Sequence, residues 1–156
     1  MTAPQTMERD GIAQRIPHSG SMCLLSRLES WSASAIHCTS TTHRDPHNPL
    51  RSATGLLAPC AIEYAAQAMA LHGGLIAAEG SEPSAGFLAS ARSVRFAVAR
   101  LDTIEGALHL HAERVSGDER QILYQFAVKD AHGQPVADGR AVVVLNTPLA
   151  MEANKS

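Results

Sequence analysis

Glu63 and Gln67 stand four residues apart in a run, Gly55 to Gly74, whose other side chains are almost all apolar. On a helix that spacing puts the carboxyl and the amide on one face, a single turn apart. A carboxyl in apolar surroundings is costly unless it is paired, protonated or used in chemistry. Desolvation favours its neutral form, and a neutral carboxyl near neutral pH is a proton donor. Candidate acceptors lie upstream. His18 follows Pro17, and His43 and His47 fall in the proline-containing stretch H-R-D-P-H-N-P-L-R. A neutral imidazole within reach of such a carboxyl makes an acid–base pair.

The elements that must position these groups follow from pattern. A run apolar on every side belongs in a core or a membrane. Ser52 or Thr54 can cap the helix predicted over 55–74, Pro59 implies an irregular first turn, and Gly73 and Gly74 can end or kink it. A short helical turn over 11–16 precedes it, then a loop, then strands over 22–31 and 35–42. The stretch from 43 to 54 reads as a long loop. After a surface loop at 79–86, strands are predicted over 86–98, 107–115, 121–130 and 135–145. One helix that is apolar all round needs a sheet that wraps it, so the expected class is α+β, a curved antiparallel sheet around one central helix. The predicted organisation is a polar segment 1–15, one domain over 16–147 and a tail over 148–156.

Composition excludes several classes. A chain of 156 residues builds one core, and a net charge of −2 offers no general attraction to nucleic acid. Cys23, Cys38 and Cys60 are odd in number and lack C-x-x-C spacing, which fits reduced thiols in the cytoplasm. Cys60 lies beside the helix start, where a thiolate is stabilised, but no partner for it is evident. Apart from the central helix, which holds Glu63 and His72, no uncharged apolar run reaches about 18 residues, so membrane insertion is not expected. His109 and His111 share one face of a strand. A metal there needs further ligands, and with only Glu113 in view a solvated face is expected, without a metal. His72 reads as a core histidine and His132 as a turn residue.

Four segments are familiar together: I-P-H-S-G-S-M-C-L-L-S-R (16–27), H-N-P-L-R (47–51), A-I-E-Y-A-A-Q-A-M (61–69) and G-F-L-A-S-A-R-S-V-R-F (86–96). From about Ile16 to Leu145 the chain resembles the β-hydroxyacyl-[acyl-carrier-protein] dehydratases of the hotdog superfamily, most of all the aryl polyene branch. There are departures. Leu50 stands where the family's loop has a glycine, and Ala53-Thr54-Gly55 replaces its Met-Pro-Gly. The interval from His47 to Glu63 is about two residues longer than the family's. D-T-I-E-G at 102–106 replaces a Pro-Gly-Asp turn.

The resemblance implies a hotdog fold and removal of water from a 3-hydroxyacyl thioester to give a trans-2-enoyl thioester. A histidine takes the C2 proton and Glu63 protonates the C3 hydroxyl. Backbone N–H groups at the helix start receive the thioester oxygen. Histidine and acid come from opposite subunits of a dimer. The H-x-P-x-R pattern ranks His47 first as base, then His18, then His43. Gln67, Gly55 and Arg51 are expected on the substrate side, Gln67 as an orienter. Arg51, Arg92, Arg95 and Arg100 are candidates for a basic patch. The implied partners are acyl carrier protein, whose phosphopantetheine arm brings the substrate, and a second hotdog subunit, identical or related. No cofactor is expected. An acyl thioesterase, and a non-catalytic subunit that supports an active dehydratase, are the alternatives.

Overall fold

Alternation sets the sheet. In the computed structural model, which describes residues 4–18, 20–77, 86–118 and 120–145, the strands β5 (Leu108–Gly117), β6 (Gln121–Lys129) and β7 (Pro135–Leu145) bury residues in steps of two. They join β1 (Met7–Glu8), β2 (Arg27–Trp31), β3 (Ala35–Ser40) and β4 (Gly86–Phe96) in one antiparallel sheet. Its order is β1-β2-β3-β5-β6-β7-β4. A short helix, α1 (Arg9–Ala13), lies near β1, and the long helix is α2 (Ala61–Ala77).

α2 is buried at every position from Tyr64 to Leu75. A helix with no polar face has nothing to offer water, and five strands, β3 to β7, pack against it. Ile36, Cys38, Leu110, Tyr124, Phe126 and Val143 are among the sheet's contributions to that core. Burial of Ile36, Leu110, Phe126 or Val143 contributes about 1.5–3 kcal/mol each. Bulges in β2, β4 and β5 add the local twist that curls a sheet. This is the hotdog arrangement expected.

Several boundaries differ from expectation. The α-helix begins at Ala61, after a 3₁₀ turn over Ala58–Cys60 that holds Pro59. Residues 55–57 are not helical and lean on the chain at 99–101: Leu101 N–H donates to Leu56 O at 2.8 Å, and Ala58 N–H to Ala99 O at 3.0 Å. Gly73 and Gly74 neither end nor kink the helix. A Cβ at Gly73 would lie 2.8 Å from the Leu145 side chain, so the glycine lets α2 approach β7. β2 starts at Arg27, not at Met22. Most of the loop expected at 79–86, and the tail at 148–156, lie outside the described residues. Among the described residues no helix is long and apolar enough to cross a membrane. All three cysteines are free thiols.

Candidate active site

The segment ahead of β2 is tied to the helix by one buried amide. Gln67 Oε1 accepts from Leu24 N–H, and Gln67 Nε2 donates to Met22 O, each at 2.8 Å. This places the chain just upstream against the first turn of α2, where His18 Nε2 stands 3.1 Å from Glu63 Oε2. His18 Nδ1 is buried without a partner among the described residues, so Nε2 is the nitrogen that faces the acid. Glu63 is not enclosed as expected: 35% of its side chain meets solvent, because it lies at the helix start, outside the strands' wrap. Exposed Leu57 and Met22 lie at the same end of the helix.

Of the three candidate histidines, the single chain brings His18, ranked second, to Glu63 and holds the other two elsewhere. His47 is exposed, and its backbone N–H donates to Asp45 Oδ1 at 2.8 Å. His43 is buried, with Nε2 2.9 Å from Ile104 O, and burial pushes its pKa down. Neither forms an ion pair or hydrogen bond with Glu63. Mooring of the loop explains this. Asn48 is buried and donates to Thr42 O and to Tyr64 Oη, both at 2.9 Å, while Tyr64 Oη and Thr42 Oγ1 lie 2.7 Å apart. Tyr64 is one residue beyond Glu63, about 100° around the helix. The loop is therefore held to a different face from the acid. The His18–Glu63 pair forms within one chain.

The residues expected on the substrate side are occupied elsewhere. Both ends of Gln67 hold backbone groups. Arg51 Nη1 lies 3.6 Å from Asp102 Oδ2 and its Nε donates to Asp45 O. Asp102 also receives Arg100 at 2.6 Å and Leu56 N–H at 3.0 Å. The Arg100 guanidinium holds this carboxyl well below the usual carboxylate range. Gly55, at φ +108°, lies so close that a Cβ would sit 2.7 Å from Arg100 Nη2 and 2.8 Å from Asp102 Oδ2. Gly55, Arg51 and Asp102 thus fix the approach to the helix. Nothing local in D-T-I-E-G marks Asp102 for this role, because its partners come from the 51–56 segment and Arg100. Three of the four candidates for a basic patch face a carboxylate: Arg51 and Arg100 share Asp102, and Arg95 meets Asp138 at 3.2 Å.

The N–H groups at the helix start are mostly engaged. Gly55, Leu56, Ala58, Cys60 and Ala61 donate within the chain, and Pro59 has none. Leu57 N–H has no partner among the described residues. Burial pushes the Cys60 thiol up, away from a thiolate role. His72 is a core histidine, with Nδ1 2.6 Å from Tyr124 Oη and Nε2 2.7 Å from Ser32 O. His109 and His111 are joined by a third histidine, His37, rather than by Glu113.

The sequence model of the family described as ApeP-like, ApeP dehydratase, matches residues 11–153. A chain of the dehydratase heterocomplex ApeI:P from Xenorhabdus doucetiae superposes with a TM-score of 0.78 at 25% identity, covering 91% of this chain and 95% of that one. A thioesterase from Haemophilus influenzae superposes with a TM-score of 0.66 at 12% identity, covering 92% and 93%. A mutant thioesterase from Pseudomonas aeruginosa does so with the same TM-score and identity, covering 91% and 96%. The last two share the fold. No curated protein sequence matches this chain closely.

Proposed function

Since the chain belongs to the ApeP-like dehydratase family, we propose that it removes water from a 3-hydroxyacyl thioester carried on the phosphopantetheine arm of an acyl carrier protein. The single observation that carries this reading is the contact of His18 Nε2 with Glu63 Oε2 at 3.1 Å. The thioester carbonyl makes the C2 proton weakly acidic, and hydroxide is a poor leaving group, so the reaction needs a base at C2 and an acid at C3. These carbons are about 1.5 Å apart. A base and an acid in mutual contact can therefore serve both from one side.

The step runs from the form of the pair in which Glu63 carries a proton and the His18 Nε2 lone pair is free. His18 Nε2 takes the proton from C2. The electrons of that C–H bond become the C2–C3 double bond, and the C3–O bond breaks as Glu63 protonates the hydroxyl, which leaves as water. The pair is left as imidazolium and carboxylate, and a proton shift across their contact restores it. Leu57 N–H serves as donor to the thioester oxygen as charge develops there. The reading needs no cofactor beyond the carrier arm.

A second hotdog subunit closes the site. The open flank of Glu63, the exposed Leu57 and Met22, and the long edge strand β4 with half-exposed Phe96 all favour a partner. The heterocomplex among the similar structures supports a related chain in that place. It also favours a second reading, in which this chain supports a catalytic partner. The test is Glu63→Gln, assayed for enoyl product with carrier-bound substrate, alone and with a partner subunit. A loss of at least about 100-fold is expected. Near-wild-type turnover rejects the catalytic assignment and leaves the supporting role. Release of free thiol in place of enoyl product would indicate hydrolysis.

A further inference from the structure

The face of the sheet turned away from α2 carries a second group of chemistry-bearing side chains. His37 on β3 stands directly opposite His111 on β5, and His109 lies two residues before His111. Their neighbours Ile36, Cys38, Leu110 and Ala112 point into the core, so alternation sends all three imidazoles outward. One ring nitrogen from each lies within 4.8 Å of the others, and all three residues are half-buried. His37 Nε2 is 2.9 Å from His109 Nδ1. The His37 and His111 rings stack with centroids 4.3 Å apart and planes 10° from parallel. Stacking and one hydrogen bond account for His37 and His109. The ring nitrogens of His111 have no hydrogen-bond partner among the described residues.

We propose that His37, His109 and His111 bind one divalent transition-metal ion of the zinc class. Imidazole is a preferred ligand of these ions, and three such ligands leave positions for water or a small anion. A groove of ≈ 240 Å³ bordered by Ser30, Ser32, His37 and His111 gives that position access. Metal–nitrogen bonds of about 2.0–2.1 Å put the nitrogens of a tetrahedral site about 3.3 Å apart. The three must therefore close by about 1.5 Å at most, and the rings must fan out of their stack so that their in-plane lone pairs converge. Rotation about the Cβ–Cγ bond is soft, and the β3–β5 register already holds the backbone in place. The charged neighbours are mixed. Lys129 is the cross-strand neighbour of His109 on β6, Glu29 accepts from Thr39 Oγ1 two residues from His37, and Glu113 continues the face beyond His111.

The ion clamps β3 to β5 on the side of the sheet opposite the His18–Glu63 pair. It binds the folded chain, where the three rings are held together, more tightly than the unfolded one, so it raises the melting temperature by mass action. The test uses chain without an affinity tag, stripped with chelator and titrated with Zn²⁺ by calorimetry and with Co²⁺ by visible absorption. One ion per chain is expected, with a raised melting temperature and a Co²⁺ band of nitrogen-rich, low-coordinate type. His37→Gln and His111→Gln should each weaken Zn²⁺ binding by at least about tenfold, while His47→Gln and His132→Gln bind as the parent does. In the unsubstituted chain, Co²⁺ should shift the ring resonances of the three cluster histidines and spare those of His47 and His132, which keeps the test decisive if a variant folds poorly. No saturable binding, binding indifferent to the cluster substitutions, or Co²⁺ shifts confined to other histidines would overturn the proposal.

Discussion

Glu63 and Asp102 are carboxylates that both serve the start of the central helix, and they are treated in opposite ways. Asp102 has two guanidinium groups and a backbone N–H around it, and its side chain is 6% exposed. Glu63 has one imidazole and a third of its side chain in solvent. Asp102 is saturated with fixed charge and holds Arg51, Gly55 and Leu56 in place. Glu63 has a single titratable partner and an open flank, which is the condition for exchanging a proton with a substrate. A charged residue near a site is therefore weighed by what its oxygens already hold, more than by its position in the chain.

That contrast breaks most sharply under substitution. His18→Asn, like Glu63→Gln, should cut turnover by about 10²–10⁴-fold with little change in melting temperature, as enoyl product formation and thermal melts will show. Asp102→Asn should do the reverse. It leaves Arg51 and Arg100 without their counter-charge, so the melting temperature falls more than for either change at the pair, and turnover falls far less. Gln67→Leu leaves the buried Leu24 N–H without its acceptor, at a cost of about 1–3 kcal/mol. Denaturant titration measures that loss, and turnover should drop with it because His18 loses its anchor.

A smaller effect separates the closed interior from the open pair. Burial lowers the pKa of both His43 and His72 below the usual 6.5. The unfolded chain then binds more protons than the folded one just below that pH. Stability is full above about pH 6.5 and falls as the pH drops towards the depressed folded values. Unfolding free energies that stay level between about pH 6.5 and 5 would contradict this. The smallest effect is expected for Cys60→Ala. Its thiol is raised by burial, so turnover should match the parent.

The sheet was readable from sequence where one face meets the core, since Leu108, Leu110 and Ala112 alternate with polar residues. The helix was readable because its apolar run has no polar stripe, and the spacing of Glu63 and Gln67 showed their shared side. What they hold was not readable. Loop composition favoured His47, but Asn48 bonding to Tyr64 carries that loop to another helix face, and such a contact leaves no local pattern. Gly73 read as a stop because its use, close approach to Leu145, depends on a strand far along the chain. Asp102 sat in a segment noted only for departing from its relatives. His37 and His109, 72 residues apart, meet only through the β3–β5 register.

The central claim is that His18, and not His47, works with Glu63. It is tested most directly by comparing His18→Asn and His47→Asn for conversion of a carrier-bound 3-hydroxyacyl thioester, each with its partner subunit present. The account predicts that His18→Asn loses at least about 100-fold in turnover and that His47→Asn turns over like the parent. Loss in His47→Asn with activity retained in His18→Asn would contradict it.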